Sequence, residues 1–255
     1  MKDLIYGCNL IRDIWNRESK LDSRLKNKQI HSEKMAKYLV LLSGNKDYEF
    51  FGLVHDIGRI EQLKQINNFD DKQYNHALAG IDYIDNNNIE YLKDFEKAKD
   101  AIKYHSNYIT IPKEKQCEMI MYLSLADQLE NAISCKGYLE YEERIDNKGY
   151  KKDKTDNPSL SQYFIDAILQ NNYLVDKKYC KSYIDYFYFA YTLLIRVINN
   201  DIFKNIVVSD ELKQDLLSSF NFFDKLFRSR ILENNIKEII LSKMNEYKKN
   251  LILKE

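Results

Sequence analysis

The stretch Val54-His55-Asp56-Ile57-Gly58-Arg59 places an adjacent histidine and aspartate at the end of an apolar segment. The chain has four histidines in all, and the other three are His31, His76 and His105, so none falls in the C-terminal half. Successive histidines are separated by roughly 20 to 30 residues, the length of one helix and one connection. A bundle of helices would therefore bring these side chains to one point.

The period of the apolar residues predicts helices along most of the chain. With only 7 glycines and 2 prolines, an all-α fold with short connections is favoured over a turn-rich β fold. The polar segment 140–158 is the best candidate for a loop or lid. Apolar residues recur every three or four positions in the segments that carry the histidines and Asp127, which are 32–42, 48–57, 75–84, 95–104 and 118–133. We expect further helices in the C-terminal half, over 160–169, 180–199, 209–227 and 231–249.

These helices predict where the polar residues lie. We expect His31 just before its helix or in the first turn, and the His55-Asp56 pair in the last turn of a helix that ends at Gly58, since glycine commonly ends helices. Asp127 falls near the middle of an apolar helix, where a buried carboxylate without a partner would be costly. A bound cation removes that cost, whereas a surface position for Asp127 is the alternative.

Histidine and aspartate together are the ligands expected of a transition-metal site. Imidazole holds such metals near neutral pH, and imidazole combined with carboxylate suits Mn, Fe, Co, Ni or Zn better than Mg. A single histidine on a helix is usually a polar residue with an ordinary partner, but six such residues in an ordered series favour a metal site. We therefore predict one or two divalent transition metals, held by His31, His55, Asp56, His76, His105 and Asp127.

The ordered series H…HD…H…H…D resembles the HD superfamily of metal-dependent phosphohydrolases, which is named for the adjacent pair. The residues after the pair, Ile57-Gly58-Arg59, are also typical of that family. The resemblance covers about residues 25–135 and implies an HD-type helical bundle with two metals that share a bridging carboxylate. It implies His31, His55, Asp56 and Asp127 as ligands of the first metal, and Asp56, His76 and His105 as ligands of the second.

In that family the metals neutralise a phosphate ester and turn bound water into the attacking hydroxide. The resemblance therefore implies a hydrolase that cleaves a phosphate ester of a nucleotide or a related phosphorylated small molecule, with monoesters and diesters both open. The HD-GYP signature of cyclic-dinucleotide phosphodiesterases is absent, because residues 58–60 read Gly-Arg-Ile. The alternatives are a di-iron oxygenase with the same ligands and a non-catalytic metal-binding regulatory domain.

Other polar residues around the pair are candidates for catalysis and substrate binding. Asp56 and Arg59 are the catalytic candidates, because the planar guanidinium of Arg59 would hold a phosphate. The alternative for Arg59 is an ion pair with Asp56 or Glu61. Glu130, one turn after Asp127, would accept an N–H from a histidine, and the alternative is that it is solvated. The predicted substrate-binding residues are Arg59, Gln62, Lys103 and Asn107.

Beyond the motif, the segments 55–62, 75–77 and 104–112 look like a group of uncharacterised bacterial HD proteins of similar length. In that group the C-terminal helices belong to the same unit. This implies one domain over 1–255, with a metal-binding core at about 25–135 and C-terminal helices at about 159–255. Many members have RDADKLD around the last ligand, where this chain has SLADQLE at 124–130. The ligand aspartate is kept, but the roles of its charged neighbours are not carried over.

The charge is balanced, with 39 basic and 39 acidic residues, which argues against a nucleic-acid partner or an anionic membrane surface. Short basic clusters such as Lys26-Asn27-Lys28 are interpreted as solvated surface. No apolar run reaches the 18 or so residues of a membrane helix, and the first residues lack the features of a signal peptide.

Four cysteines without a CxxC spacing predict buried free thiols in a reducing cytoplasm. The aromatic segment 183–191 is interpreted as core, and Phe69 as core or as the wall of a base pocket.

Overall fold

The computed structural model describes residues 2–71, 73–87, 89, 95–105, 112–115, 117–135 and 159–253. This part of the chain is helical and contains no strand, which confirms the predicted all-α fold. The candidate lid, 140–158, and the candidate substrate contact Asn107 lie outside the described residues. The helices are α1 (Lys2–Leu21), α2 (Ser23–Ser43), α3 (Glu49–Val54), α4 (Arg59–Ile66), α5 (His76–Asn86), α6 (Phe95–Tyr104), α7 (Glu118–Ser134), α8 (Gln162–Leu169), α9 (Tyr183–Asn199), α10 (Asp201–Asn205), α11 (Asp210–Arg230) and α12 (Asn234–Leu253).

The chain divides into two compact units, Met1–Glu130 and Asn131–Glu255, so the prediction of one domain over 1–255 stays a prediction. A search of the described helices finds none with the length and apolar character of a membrane span. The cysteines are all free thiols, as predicted, and Cys8 and Cys135 are buried. Cys117 is exposed. The prediction of burial is wrong there because Cys117 lies in the connection before α7, outside the apolar face of that helix.

The first unit is built around α2, which packs against α1, α3 and α4, while α5 packs against α4 and α6. The fully buried Trp15 of α1 donates its indole N–H to the carbonyl of Leu53 at 3.0 Å, which fixes α1 against α3. A Cβ on Gly52 would lie only 2.3 Å from the Cα of Ala36, so α2 and α3 approach as closely as they do because residue 52 is glycine. These contacts set the distance between His31 on α2 and the His55-Asp56 pair, which directly follows α3.

Two helix boundaries differ from the prediction. Helix α2 begins at Ser23, capped by Asp22, whose carboxylate accepts from the N–H of Arg24 at 2.9 Å, so His31 lies near its middle and not in its first turn. Helix α3 ends at Val54 with His55 as its C-cap, whose backbone N–H donates to the carbonyl of Phe51 at 3.2 Å, so the His55-Asp56 pair lies at the end of α3 and in the turn that leads to α4, and not within a helix that continues to residue 57. An uninterrupted apolar run does not show where the backbone leaves the helix. The other predicted helices agree to within a few residues, whereas α1, α4 and the short α10 were not predicted.

The second unit has an aromatic core on α9, which packs against α11 and α10, while α12 packs against α11 and α8. Phe187, Tyr188 and Tyr191 are buried, which confirms the interpretation of this segment as core. Helix α9 begins with a capping box, in which Ser182 accepts from the N–H of Asp185 while the buried Asp185 carboxylate accepts from the N–H of Ser182.

Candidate metal centre

Five segments of the first unit bring the predicted ligands to one place. His31 comes from the middle of α2, and the His55-Asp56 pair from the turn after α3. His76 is the first residue of α5, His105 follows the last residue of α6, and Asp127 lies on α7. The ligands therefore occupy helix ends and turns as well as helix faces.

The start of α5 is held against the turn that carries the pair. Asn75 caps this helix, since its side chain accepts from the N–H of Ala77 at 3.0 Å. A Cβ on Gly58 would lie 1.9 Å from the carbonyl oxygen of His76 and 2.4 Å from the nitrogen of Gly80. Gly58 has an ordinary right-handed φ of −67°, so glycine is needed here for close approach and not for a helix stop. This contact places His76 beside Asp56.

The first cluster consists of His31, His55 and Asp56, whose potential ligand atoms lie within 4.8 Å of one another. The Nε2 atom of His31 is 3.2 Å from Nε2 of His55 and 3.9 Å from Oδ2 of Asp56. Asp127 adds a second carboxylate, with Oδ1 3.3 Å from Nε2 of His31. Asp127 is buried, so the alternative of a surface position is excluded.

The second cluster consists of Asp56, His76 and His105, whose potential ligand atoms also lie within 4.8 Å of one another. The Nε2 atom of His76 is 3.0 Å from Nε2 of His105 and 3.2 Å from Oδ1 of Asp56. The Nε2 atom of His105 is 3.5 Å from the same oxygen. Asp56 therefore presents Oδ2 to the first cluster and Oδ1 to the second.

Each imidazole is oriented through its other nitrogen. The Nδ1 atoms of His55 and His105 are 2.7 and 2.6 Å from the carbonyl oxygens of Gly52 and Ile102. Carbonyl oxygens only accept, so Nδ1 donates and the lone pair of each ring is on Nε2. In the other two rings Nδ1 faces a carboxylate, Glu130 for His31 and Asp71, at 2.6 Å, for His76.

Such an arrangement fits a metal. With Nδ1 protonated in both rings, the Nε2 lone pairs of His76 and His105 point at each other across 3.0 Å, and in the first cluster the Nε2 lone pair of His55 faces Nε2 of His31 across 3.2 Å. Facing lone pairs repel unless a cation lies between them. Nε2 atoms and carboxylate oxygens are also the donors that transition metals prefer. The residues present therefore fit a divalent metal in either cluster.

Burial and charge act in opposite directions on the histidines. Burial lowers the pKa of His55 to about 3, so its ring is neutral at pH 7, as a metal ligand must be. Burial alone would also lower the pKa of His31, but the carboxylates of Glu130 and Asp127 outweigh it and raise that pKa to about 10. In the first cluster, the pKa of His55 thus lies well below 7 and the pKa of His31 lies well above 7.

The two buried aspartates are ionised. Burial alone would raise the pKa of Asp56, but Lys28, Arg59 and two histidines hold it well below its usual value. The pKa of Asp127 is also lowered, because its contacts with His31 outweigh its burial. Buried negative charge of this kind is retained in proteins only with cationic partners.

Arg59, the predicted phosphate-binding residue, is engaged with carboxylates in the structure. Its Nε donates to Oδ1 of Asp56 at 3.3 Å, and its two terminal nitrogens donate to Asp71 at 2.6 and 3.2 Å. The buried Gln62 accepts from Arg59 at 2.7 Å and donates to Asp71 at 3.2 Å and to the carbonyl of Tyr74 at 2.8 Å. The alternative of an ion pair with Asp56 is therefore realised, and the substrate-binding roles of Arg59 and Gln62 stay predictions.

The remaining candidates lie in different surroundings. Glu130 contacts Nδ1 of His31, which confirms the histidine contact predicted for it. Lys103 is exposed on α6, with Nζ 5.4 Å from the centre of the Tyr104 ring, so its substrate contact stays a prediction. Phe69 is partly exposed, with its ring centre 5.8 Å from Nζ of Lys28.

Two residues that touch the cluster were missed from the sequence. Lys28 donates to Oδ2 of Asp56 at 3.0 Å, so its interpretation as solvated surface is wrong. The signal was its position three residues before His31, which puts both on one face of α2 once the helix is known to begin at Ser23. Asp71, which contacts His76 and Arg59, lies in the connection between α4 and α5, where no helical period marks it.

Comparison with known proteins agrees with this geometry. Residues 29–132 match the family model described as HD domain, and this range includes all six predicted ligands. No curated protein and no solved structure gives a significant match to the chain. This match, over about two fifths of the chain, is consistent with the HD-domain superfamily, whose members are generally metal-dependent hydrolases.

Proposed function

We propose that this protein is a metal-dependent phosphohydrolase that cleaves a phosphate ester of a small molecule, with a nucleotide as the preferred class. The observation that carries the proposal is the convergence of the Nε2 atoms of His31, His76 and His105 on the two oxygens of Asp56, with Nε2 of His55 3.2 Å from that of His31. Such a site is built to hold more than one positive charge.

The proposed ligand set divides between the two clusters. His31, His55 and Asp127 would hold a first metal with Oδ2 of Asp56, and His76 and His105 a second metal with Oδ1. Bound divalent metals would neutralise the charge of a phosphate ester and lower the pKa of bound water. This assignment is supported by the two short Nε2 to Nε2 contacts, 3.2 and 3.0 Å, each within one cluster.

The residues of the chain contribute orientation and charge. The carbonyls of Gly52 and Ile102 and the carboxylates of Glu130 and Asp71 hold the four imidazoles with Nε2 toward the cluster. Arg59 brings a positive charge to the edge of the site, where an anionic substrate is attracted. Its planar guanidinium can bind two phosphate oxygens together.

The preference for a nucleotide is supported by Phe69. This partly exposed aromatic ring lies near Lys28, and Lys28 contacts Asp56. A ring in this position gives a flat apolar surface on which a base can stack, next to the charges that would hold the phosphate.

The test is the metal content of protein purified without chelator, followed by a screen of the same sample against nucleotides with released phosphate as the readout. We expect about two transition metals per chain. Asp56→Asn should lose both metals and nearly all activity, and His55→Ala should lose the metal of the first cluster and most of the activity. Asp201→Asn, which changes an exposed aspartate of the second unit, is the matched control and should behave as wild type.

Other outcomes contradict the proposal. Two irons per chain without phosphate release would favour the oxygenase alternative. Bound metal with no turnover of any phosphate ester would favour a regulatory domain. Failure to bind any metal, even after incubation with manganese, would overturn the central assignment.

A further inference from the structure

Two cationic side chains contact Asp56, each on a different oxygen. Lys28 donates to Oδ2 at 3.0 Å, the oxygen that faces the first cluster. Arg59 donates to Oδ1 at 3.3 Å, the oxygen that faces the second cluster. The carboxylate of Asp56 thus has a lysine on the same oxygen that the first cluster would use for a metal.

Lys28 leads from solvent to this carboxylate. Its side chain is 25% exposed, whereas that of Asp56 is 3% exposed, so Lys28 is the partner of this ion pair that solvent reaches. It projects from the same face of α2 as His31. The partly exposed ring of Phe69 flanks it at 5.8 Å. A molecule that reaches the first cluster from this side meets Lys28.

A metal and an ammonium group compete for one carboxylate oxygen. Two cations held within about 3–4 Å of each other repel, and the repulsion is strong where water is scarce. An anion placed beside both removes the repulsion, because it accepts from the ammonium group and faces the metal. The phosphate group of the proposed substrate is such an anion, and lysine binds phosphate as a compact point charge.

We propose that Lys28 is a substrate-binding residue whose ammonium group opposes metal binding at Asp56 and binds the phosphate dianion of the substrate. The inference rests on the proposed function and adds a residue that the sequence placed on the solvated surface. The charge of Lys28 therefore affects the affinity for metal and the affinity for phosphate in opposite directions. Removal of the charge strengthens metal binding and weakens phosphate binding, whereas loss of a purely structural contact would weaken both.

The experiment compares wild type with Lys28→Met, which keeps the length of the side chain and removes its charge. Manganese is titrated calorimetrically into metal-depleted protein, and inorganic phosphate is then titrated into the manganese-saturated protein. We expect Lys28→Met to bind manganese about threefold to tenfold more tightly, and phosphate about tenfold more weakly, as expected for loss of one charge-assisted hydrogen bond.

Two further variants complete the set. Lys28→Arg retains the charge and should keep most of the phosphate affinity. Lys26→Met removes an exposed lysine of the same helix, which contacts Gln29 and not Asp56, and should match wild type in both titrations. Far-UV circular dichroism and thermal melting confirm that each variant is folded. If Lys28→Met is not folded, Lys28→Gln takes its place in the same titrations.

The outcomes separate this inference from the proposed function. If wild type binds no manganese, the proposed function fails and the inference with it. If wild type binds manganese but Lys28→Met binds phosphate as wild type does, only the inference is overturned. A parallel loss of manganese and phosphate affinity in Lys28→Met would show that Lys28 supports the fold of the site instead.

Discussion

The first and second clusters share Asp56 and the same kinds of ligand atoms, yet they are supported from different parts of the fold. Each has one histidine backed by a backbone carbonyl and one backed by a carboxylate. In the first cluster that carboxylate is Glu130 on α7, with a side chain 3% exposed. In the second it is Asp71 in the connection before α5, with a side chain 53% exposed.

Because the supporting carboxylates differ in exposure, we expect the two clusters to differ in metal affinity and in their response to substrate. Glu130 is held by a helix and shielded from solvent, so its interaction with His31 is weakly screened. Asp71 is open to solvent and also accepts from Arg59 and Gln62, so the position of His76 is tied to that of the arginine. We therefore expect the first cluster to bind metal more tightly, and the second to be more sensitive to substrate.

The largest effect is expected from Asp56→Asn, which removes the charge that both clusters share. Activity should fall by about a thousandfold or more, since metals contribute several kcal/mol to such reactions. Metal content should fall in both clusters together. Retention of one tightly bound metal in this variant would break the comparison, because it would show that one cluster does not depend on Asp56.

The next effect separates the clusters. His55→Ala removes a ligand from the first cluster only, and His105→Ala from the second only. Each variant should retain one metal and lose activity on the order of a hundredfold, because a single metal provides part of the charge stabilisation. Metal analysis together with calorimetry measures this, and loss of both metals from either variant would mean that the two clusters bind cooperatively.

A smaller effect is expected from the supporting carboxylates. Glu130→Gln and Asp71→Asn should each weaken metal binding about 10- to 100-fold, the usual range for residues that orient a ligand. The metal affinity of each variant is measured in a protein whose other cluster lacks a ligand. Glu130→Gln is therefore combined with His105→Ala, and Asp71→Asn with His55→Ala.

Asp71→Asn should in addition raise the KM for substrate, because it releases Arg59, whereas Glu130→Gln should leave KM nearly unchanged. Asp70→Asn, at the neighbouring position, contacts Gln73 and is the matched control. Equal changes of KM in the two variants would remove the proposed link between Asp71 and the substrate.

The smallest effect is expected from Gln62→Leu. This change leaves the carbonyl of Tyr74 without its donor and removes one contact to Asp71. The free energy of unfolding should fall by about 1–3 kcal/mol. Metal binding should weaken a few-fold in the second cluster and stay unchanged in the first, as measured by denaturant unfolding and calorimetry. An equal loss in both clusters would show that Gln62 acts through the fold as a whole.

Much of the fold could be predicted because it depends on local patterns. The three- and four-residue period predicted α5, α6 and α7 within a few residues, since burial of one apolar face is what stabilises such helices. The same pattern placed His31 and His55-Asp56 incorrectly within their elements. Helix ends are decided by caps such as Asp22 and by close contacts such as that of Gly58 with His76, and an apolar period does not report either.

The sequence alone was enough to choose the histidines and aspartates of the candidate site, because their ordered series is readable without coordinates and the structure brings them together. Tertiary structure decided which atoms face each other, and it brought in Lys28 and Asp71. Their roles depend on distances between segments far apart in the chain: Asp56 and Lys28 are 28 residues apart, yet the two side chains are 3.0 Å apart. Such distances follow from how helices pack, which no local pattern encodes.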